Sequence, residues 1–195
     1  MYISTKDIWY KAVFVGNIIY RSDSIIPWDT QSAFKMTSYN ASCEENMVFS
    51  YLKCYVHHGD LVLCSYCFTE KPADFSNMHI YINLCLDKST DVLCIDYGFG
   101  GIEKAQLKNK ELSGLLSYSS FRTDDEQGFY WCGEIRIPAA FTQEYAGTSL
   151  GEKSIVAINM VQNFTGGDYA VLFGNAEEKN YIPENNMDVF VILNY

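Results

Sequence analysis

Three histidines, seven cysteines and a few acidic clusters are the residues with which this chain could do chemistry. His57 and His58 are adjacent, so on a strand they would face opposite ways. With Gly59 and Asp60 following, they read as turn residues rather than metal ligands. His79 stands alone in an alternating run, and its neighbour Met78 could not reach one haem iron from the same strand face. Cys64 and Cys67 have the Cys-x-x-Cys spacing of redox and zinc sites. Their segment reads as mid-strand, however, where residues three apart point to opposite faces, so both are expected to be structural. No Gly-x-Ser-x-Gly elbow, phosphate-cradling glycine loop or His-Glu-x-x-His pair occurs, and no catalytic or metal-ligating set is assigned.

The carboxylates are equally undirected. Asp124-Asp125-Glu126 and Glu177-Glu178 would suit glycoside hydrolysis only if two carboxyls faced each other across a cleft, and both clusters read as solvated turns. Residues 87–91 offer oxygen ligands of the kind calcium prefers but lack EF-hand spacing, so a structural calcium has composition without a motif, and no cofactor is expected. Asn40-Ala41-Ser42 and Asn163-Phe164-Thr165 match glycosylation sequons, which matter only in a secreted eukaryotic protein.

The elements that must position these residues are strands. The chain has 195 residues, 48% of them apolar, enough for one sizeable core without a second domain. Its 15 Tyr and 12 Phe favour half-buried pleated surfaces. A formal charge of -10 repels phosphate backbones and anionic membrane surfaces, so neither nucleic acid nor membrane is an expected partner. The start of the chain shows no clear export signal, and the odd cysteine count fits a reducing, cytoplasmic or anaerobic setting.

Period-two patterning dominates from residue 48 onward. Met78, Ile80, Ile82, Leu84 and Leu86 alternate with His79, Tyr81, Asn83, Cys85 and Asp87, which predicts a strand with one buried face. Residues 48–56 and 61–69 flank the turn at 57–60 as a hairpin. Residues 91–97 run into Gly98-Phe99-Gly100-Gly101, a breaker. Polar residues 103–113 are expected to form a short helix or a loop before a strand at 115–121. A strand at 129–138 should stop at Pro138, with a short helix over 139–145. Strands at 155–162, 169–173 and 188–194, with an early pair near 12–20 and 33–38, bring the count to about ten. The expectation is a single all-β domain over 1–195, an antiparallel β-sandwich with at most short helices.

From residue 48 on, the order of segments resembles the family 9 carbohydrate-binding modules, a bacterial β-sandwich family. The resemblance rests on the 48–69 hairpin, the strand at 78–84, and Trp131-Cys132-Gly133-Glu134-Ile135-Arg136-Ile137-Pro138, which is similar to the family's Trp-x-x-Glu-x-x-Ile-Pro signature. Ile155 to Met160, and Tyr181-Ile182-Pro183 before the last strand, complete it. In the family, sugar is held between two tryptophans with polar residues around it. Here Phe75 and Tyr181 fall near those two positions, His79 stands in place of a glutamate and Cys94 in place of an arginine.

The resemblance implies a non-catalytic carbohydrate-binding domain whose ligand stacks on aromatic side chains at one end of the sandwich, with Phe75, His79, Asn180 and Tyr181 as candidate binding residues. A structural or protein-interaction domain that has lost sugar binding is the alternative, and a glycoside hydrolase is a third reading. Trp131, on the same alternating face as Ile135 and Ile137, is expected in the core. Trp9 and Trp28 lie outside the resemblance, in the core or at its rim.

Overall fold

The computed structural model describes residues 16–24, 30–40, 50–69, 77–86, 90–125, 128–164 and 167–195. Phe75, Trp9, Trp28, Cys43 and Asp87 lie outside this set. Among the described residues there are 14 strands: β1 (Ile18–Ser22), β2 (Phe34–Lys35), β3 (Ser38–Tyr39), β4 (Tyr51–His57), β5 (Asp60–Thr69), β6 (Asn77–Asn83) and β7 (Leu93–Gly98), then β8 (Gly101–Leu107), β9 (Lys110–Glu111), β10 (Ser117–Asp125), β11 (Gly128–Ile137), β12 (Ile155–Asn163), β13 (Tyr169–Val171) and β14 (Asp188–Asn194). Among the described residues one α-helix, α1 (Ala139–Tyr145), follows Pro138, as the sequence predicts. No described helix is long and apolar enough to cross a membrane.

All-β is therefore right, but the purely antiparallel sandwich is not. The strands form one curled, mixed sheet in the order β10-β11-β5-β4-β1-β14-β12-β6-β7-β8-β9, with the short strands β2, β3 and β13 off this path. The mixture arises at β1, which pairs in parallel with β4 on one side (Tyr20 opposite Tyr55) and with β14 on the other (Ile18 opposite Val191). This short segment hydrogen-bonds along both edges and joins two arms that would otherwise be separate sheets.

Both arms face one apolar core running from Ile19 to Ile192. Alternation explains the placement: on β6 Met78, Ile80 and Ile82 point inward while His79 and Tyr81 point out. Trp131 is 1% exposed and meets Tyr97 of the opposite arm edge-on at 6.2 Å. Gly133 gives these rings their room. A Cβ there would lie 2.9 Å from Tyr118 Oη and 3.1 Å from both Trp131 and Tyr97.

The 57–60 turn is confirmed, with His58 and Gly59 at φ 50° and 87°, a left-handed pair suited to a two-residue hairpin. Residues 103–113, expected as helix or loop, instead continue β8 and turn through Lys108 and Asn109 (φ 50° and 65°) into β9. The strand escapes notice because its middle residues, Glu103 and Lys104, are exposed at the sheet margin. Asp124 and Asp125, read as a turn, are the last residues of β10 and pair with Phe129 and Gly128.

Candidate functional site

The outer face of β6, β7 and β12 carries the polar side chains that the core excludes. His79 on β6 lies opposite Asp96 on β7 and Val161 on β12. That register puts the His79 ring between two polar partners: Nδ1–H donates to Asp96 Oδ1 at 2.6 Å, and Nε2 accepts from Asn163 Nδ2 at 2.7 Å. Both ring nitrogens are engaged, so tautomer and ring plane are fixed. Asp96 is presented where the β7–β8 register shifts between Asp96 and Tyr97, a bulge that re-aims side chains.

One position along, Tyr81 lies opposite Asn159 and Cys94. With Tyr169 and Tyr181 it packs on a small apolar group of Val161, Val171 and Ala176, separate from the main core. Burial, followed by the nearby Glu184 carboxylate, raises the Tyr81 phenol above its ordinary value.

Tyr181 reaches this face because the loop from Phe173 to Asn186 is stitched to the sheet by one buried side chain. Asn159 Nδ2 donates to Tyr181 Oη (2.7 Å) and lies within hydrogen-bonding distance of the carbonyl oxygens of Pro183 (3.1 Å), Phe173 (3.3 Å) and Asn186 (3.3 Å). Its Oδ1 accepts from the backbone N–H groups of Met160 (2.8 Å) and Phe173 (3.1 Å). Tyr181 in turn donates to the Phe173 carbonyl at 2.6 Å and lies over Gly174, where φ is +95° and a Cβ would come within 2.7 Å of the ring. Glycine is required there on both counts.

Of the four sequence candidates, His79 and Tyr181 share this face through Tyr81, Asn180 is exposed beside Tyr181, and Phe75 is outside the described residues. Sequence reasoning missed Asp96, Asn163, Tyr81 and Asn159. Asn163 was visible only as a sequon, and Asp96 only as one member of an alternating strand. His57 and His58 are turn residues remote from His79; His57 Nδ1 lies 3.2 Å from the Ser22 carbonyl. Asp91 of the oxygen-rich stretch pairs with Lys108 at 2.7 Å. No cluster of three or more metal-ligating side chains occurs among the described residues.

Cys94, half-buried on the same face, has its thiol pushed up to about 11 by burial first, then by Glu184 and Asp96, against an opposing pull from Lys104. Relative to an ordinary value of 9.0, its thiolate fraction at pH 8 falls about a hundredfold. Iodoacetamide at pH 8 is therefore expected to alkylate Cys94 at least ~10-fold more slowly than free cysteine. Peptide mass spectrometry over a time course reads the rate, and fast labelling would contradict the burial of Cys94 beside these carboxylates.

No protein-family model matches the sequence, and no curated protein matches it by sequence. Solved structures do match. A family 9 carbohydrate-binding module from Caldicellulosiruptor kristjanssonii in complex with cellotriose superposes with a TM-score of 0.60, covering 91% of this chain and 94% of the module at 8% identity. The chain has the family 9 module fold. The same organism's module in complex with glucose gives a TM-score of 0.61 at 8% identity, covering 91% and 95%. A Bacteroides uniformis protein provisionally assigned as carbohydrate-binding gives 0.65 at 10% identity, covering 89% of this chain and 97% of that one. At such identities the likeness is one of fold, and the sugars belong to those structures. The likeness nonetheless accords with the segment order from which the resemblance was drawn.

Proposed function

We propose that the chain is a non-catalytic carbohydrate-binding domain whose ligand lies on the outer face of β6 and β7 beside the Phe173–Asn186 loop. One observation carries the reading: an oriented polar set, His79 with Asp96 and Asn163, adjoins the aromatic group of Tyr81, Tyr169 and Tyr181 on a fold shared with modules solved with cellotriose and glucose. Sugars need both surfaces, an aromatic wall for their C–H faces and fixed donors and acceptors for their hydroxyls. Tyr181 and Phe75 would supply the walls, and His79 and Asn180 the polar contacts.

Calorimetry with glucose and cellotriose at millimolar concentration tests this, with Asp96→Ala and His79→Ala as controls. Binding that weakens at least ~10-fold in either variant while the melting temperature holds is the expected result, because each removes a charge-assisted or oriented hydrogen bond. No heat from wild type with either sugar or with a broader glycan set would sink the proposal.

A structural or protein-interaction role has its own support. The Tyr181 hydroxyl is satisfied internally and its ring covers Gly174, which is what a loop anchor does. Unimpaired Tyr181→Phe binding would be uninformative about the walls, whereas sugar binding abolished by Asp96→Ala would decide against this second reading.

A further inference from the structure

Outside the site just described, two buried thiols stand in direct contact across neighbouring strands. Cys64 Sγ and Cys132 Sγ are 2.9 Å apart, within about 1 Å of the bonded distance. They lie on neighbouring antiparallel strands: Cys64 is opposite Glu134 and Cys132 is opposite Tyr66, so they are diagonal neighbours on one face. We propose that Cys64 and Cys132 are a latent cross-strand disulfide, closed by exchange with a low-molecular-weight disulfide as β5 and β11 pair.

The geometry favours this pair over Cys54, Cys67 and Cys94. Cys54 and Cys67 point into the core cluster, and Cys94 lies on β7 in the opposite arm. Cys64 and Cys132 instead share the outer face of their arm and are 2% and 1% exposed. Tyr66, stacked on Tyr51 at 4.5 Å and meeting Phe121 edge-on at 6.3 Å, belongs to the aromatic layer around them.

The reaction balances without a metal or enzyme. One thiolate attacks the small disulfide and releases one thiol; the second then attacks the mixed disulfide and releases the other. The protein loses two hydrogens and the small disulfide is reduced to two thiols. Once the strands have closed, the hydrogen bond between the two sulfurs, and then burial, hold the Cys64 thiol well above its ordinary range, and both sulfurs are shut away from solvent, which shields the pair from exchange in the folded chain. Closure therefore belongs to folding, when the sulfurs are accessible.

The bridge would close a span of 68 residues, long enough to restrict the unfolded chain substantially. The test refolds the full, reduced chain from denaturant in a mixture of reduced and oxidised glutathione, with dithiothreitol as the reference. Expected in glutathione are a fall from seven titratable thiols to five, a mass lower by about 2 Da, and peptides joined through Cys64 and Cys132. The melting temperature should rise by about 5–10 °C over the reduced chain and return on reduction after unfolding. Cys64→Ala and Cys132→Ala should each abolish the thiol loss and the shift. Seven thiols remaining in the refolded protein would overturn the proposal. So would linkage through other cysteines, or glutathione adducts with no internal bridge.

Discussion

Asn159→Leu is expected to destabilise the protein by about 3–5 kcal/mol, lowering the melting temperature by roughly 10 °C, because it leaves several buried backbone groups and the Tyr181 hydroxyl without their partner. Asn159 is fully buried, bonded through Nδ2 to the loop and through Oδ1 to two backbone N–H groups. Leucine matches its shape closely enough that a cavity is not the cause.

Asn159→Asp separates shape from hydrogen bonding. It retains the acceptor but turns a carboxylate toward the oxygens of Phe173, Tyr181, Pro183 and Asn186. At neutral pH it should be worse than leucine, and its deficit should shrink on acidification, since a protonated carboxyl can donate once more. Thermal melts of the three proteins at pH 7 and pH 5 read this directly. If Asn159→Leu melts within 2–3 °C of wild type, the loop is not held as described.

Raising the pH should unfold the chain cooperatively between about pH 10 and 11. Cys54 and Cys67 in the core have thiols raised from 9.0 by burial, and Tyr97, also fully buried, has its phenol raised well above 10.0 by burial and then by Cys67. In each case the folded value exceeds the unfolded one. Their stabilisation is complete below pH 9 and is lost progressively as pH climbs, because the unfolded chain releases these protons first.

At about 1.4 kcal/mol per unit, the two thiols and Tyr97 together cost about 7 kcal/mol by pH 11, comparable to the whole stability of a typical domain. Circular dichroism should collapse in one step, with a coincident jump in the 295-nm absorbance of tyrosinate as the buried phenols are released. Cys54→Ala with Cys67→Ala should move that step to higher pH. Gradual tyrosine ionisation with an unchanged dichroism spectrum to pH 11.5 would refute the account.

Much of the framework was legible because the chain writes it locally. Met78 to Ile82 alternate, His58-Gly59 turns, and Pro138 ends β11 and starts α1; each of these depends on residues within a few positions of one another. The β8–β9 hairpin was hidden because its turn residues are Lys108 and Asn109 rather than Asn-Gly, and because an edge strand needs little apolar alternation.

The mixed sheet was hidden for a different reason. Nothing near Ile18 marks Val191 as its partner, since parallel pairing is a relation between distant segments. The candidate site divides along the same line. His79 and Tyr181 came from the resemblance, but Asp96 and Asn163 are connected to His79 only through strand register. Asn159 enters the sequence reading only through the resemblance of 155–160 to an Asn-bearing strand, whereas its bonds to the loop join segments that are distant along the chain.

The seam at β1 also has a meaning for how the protein comes to be made. Ile18 waits for Val191 and Tyr20 for Leu193, so a nascent chain displays an unfilled strand edge while everything between β1 and β14 is still being made. Until β14 emerges, that edge is available to any passing extended segment, including one from a neighbouring copy.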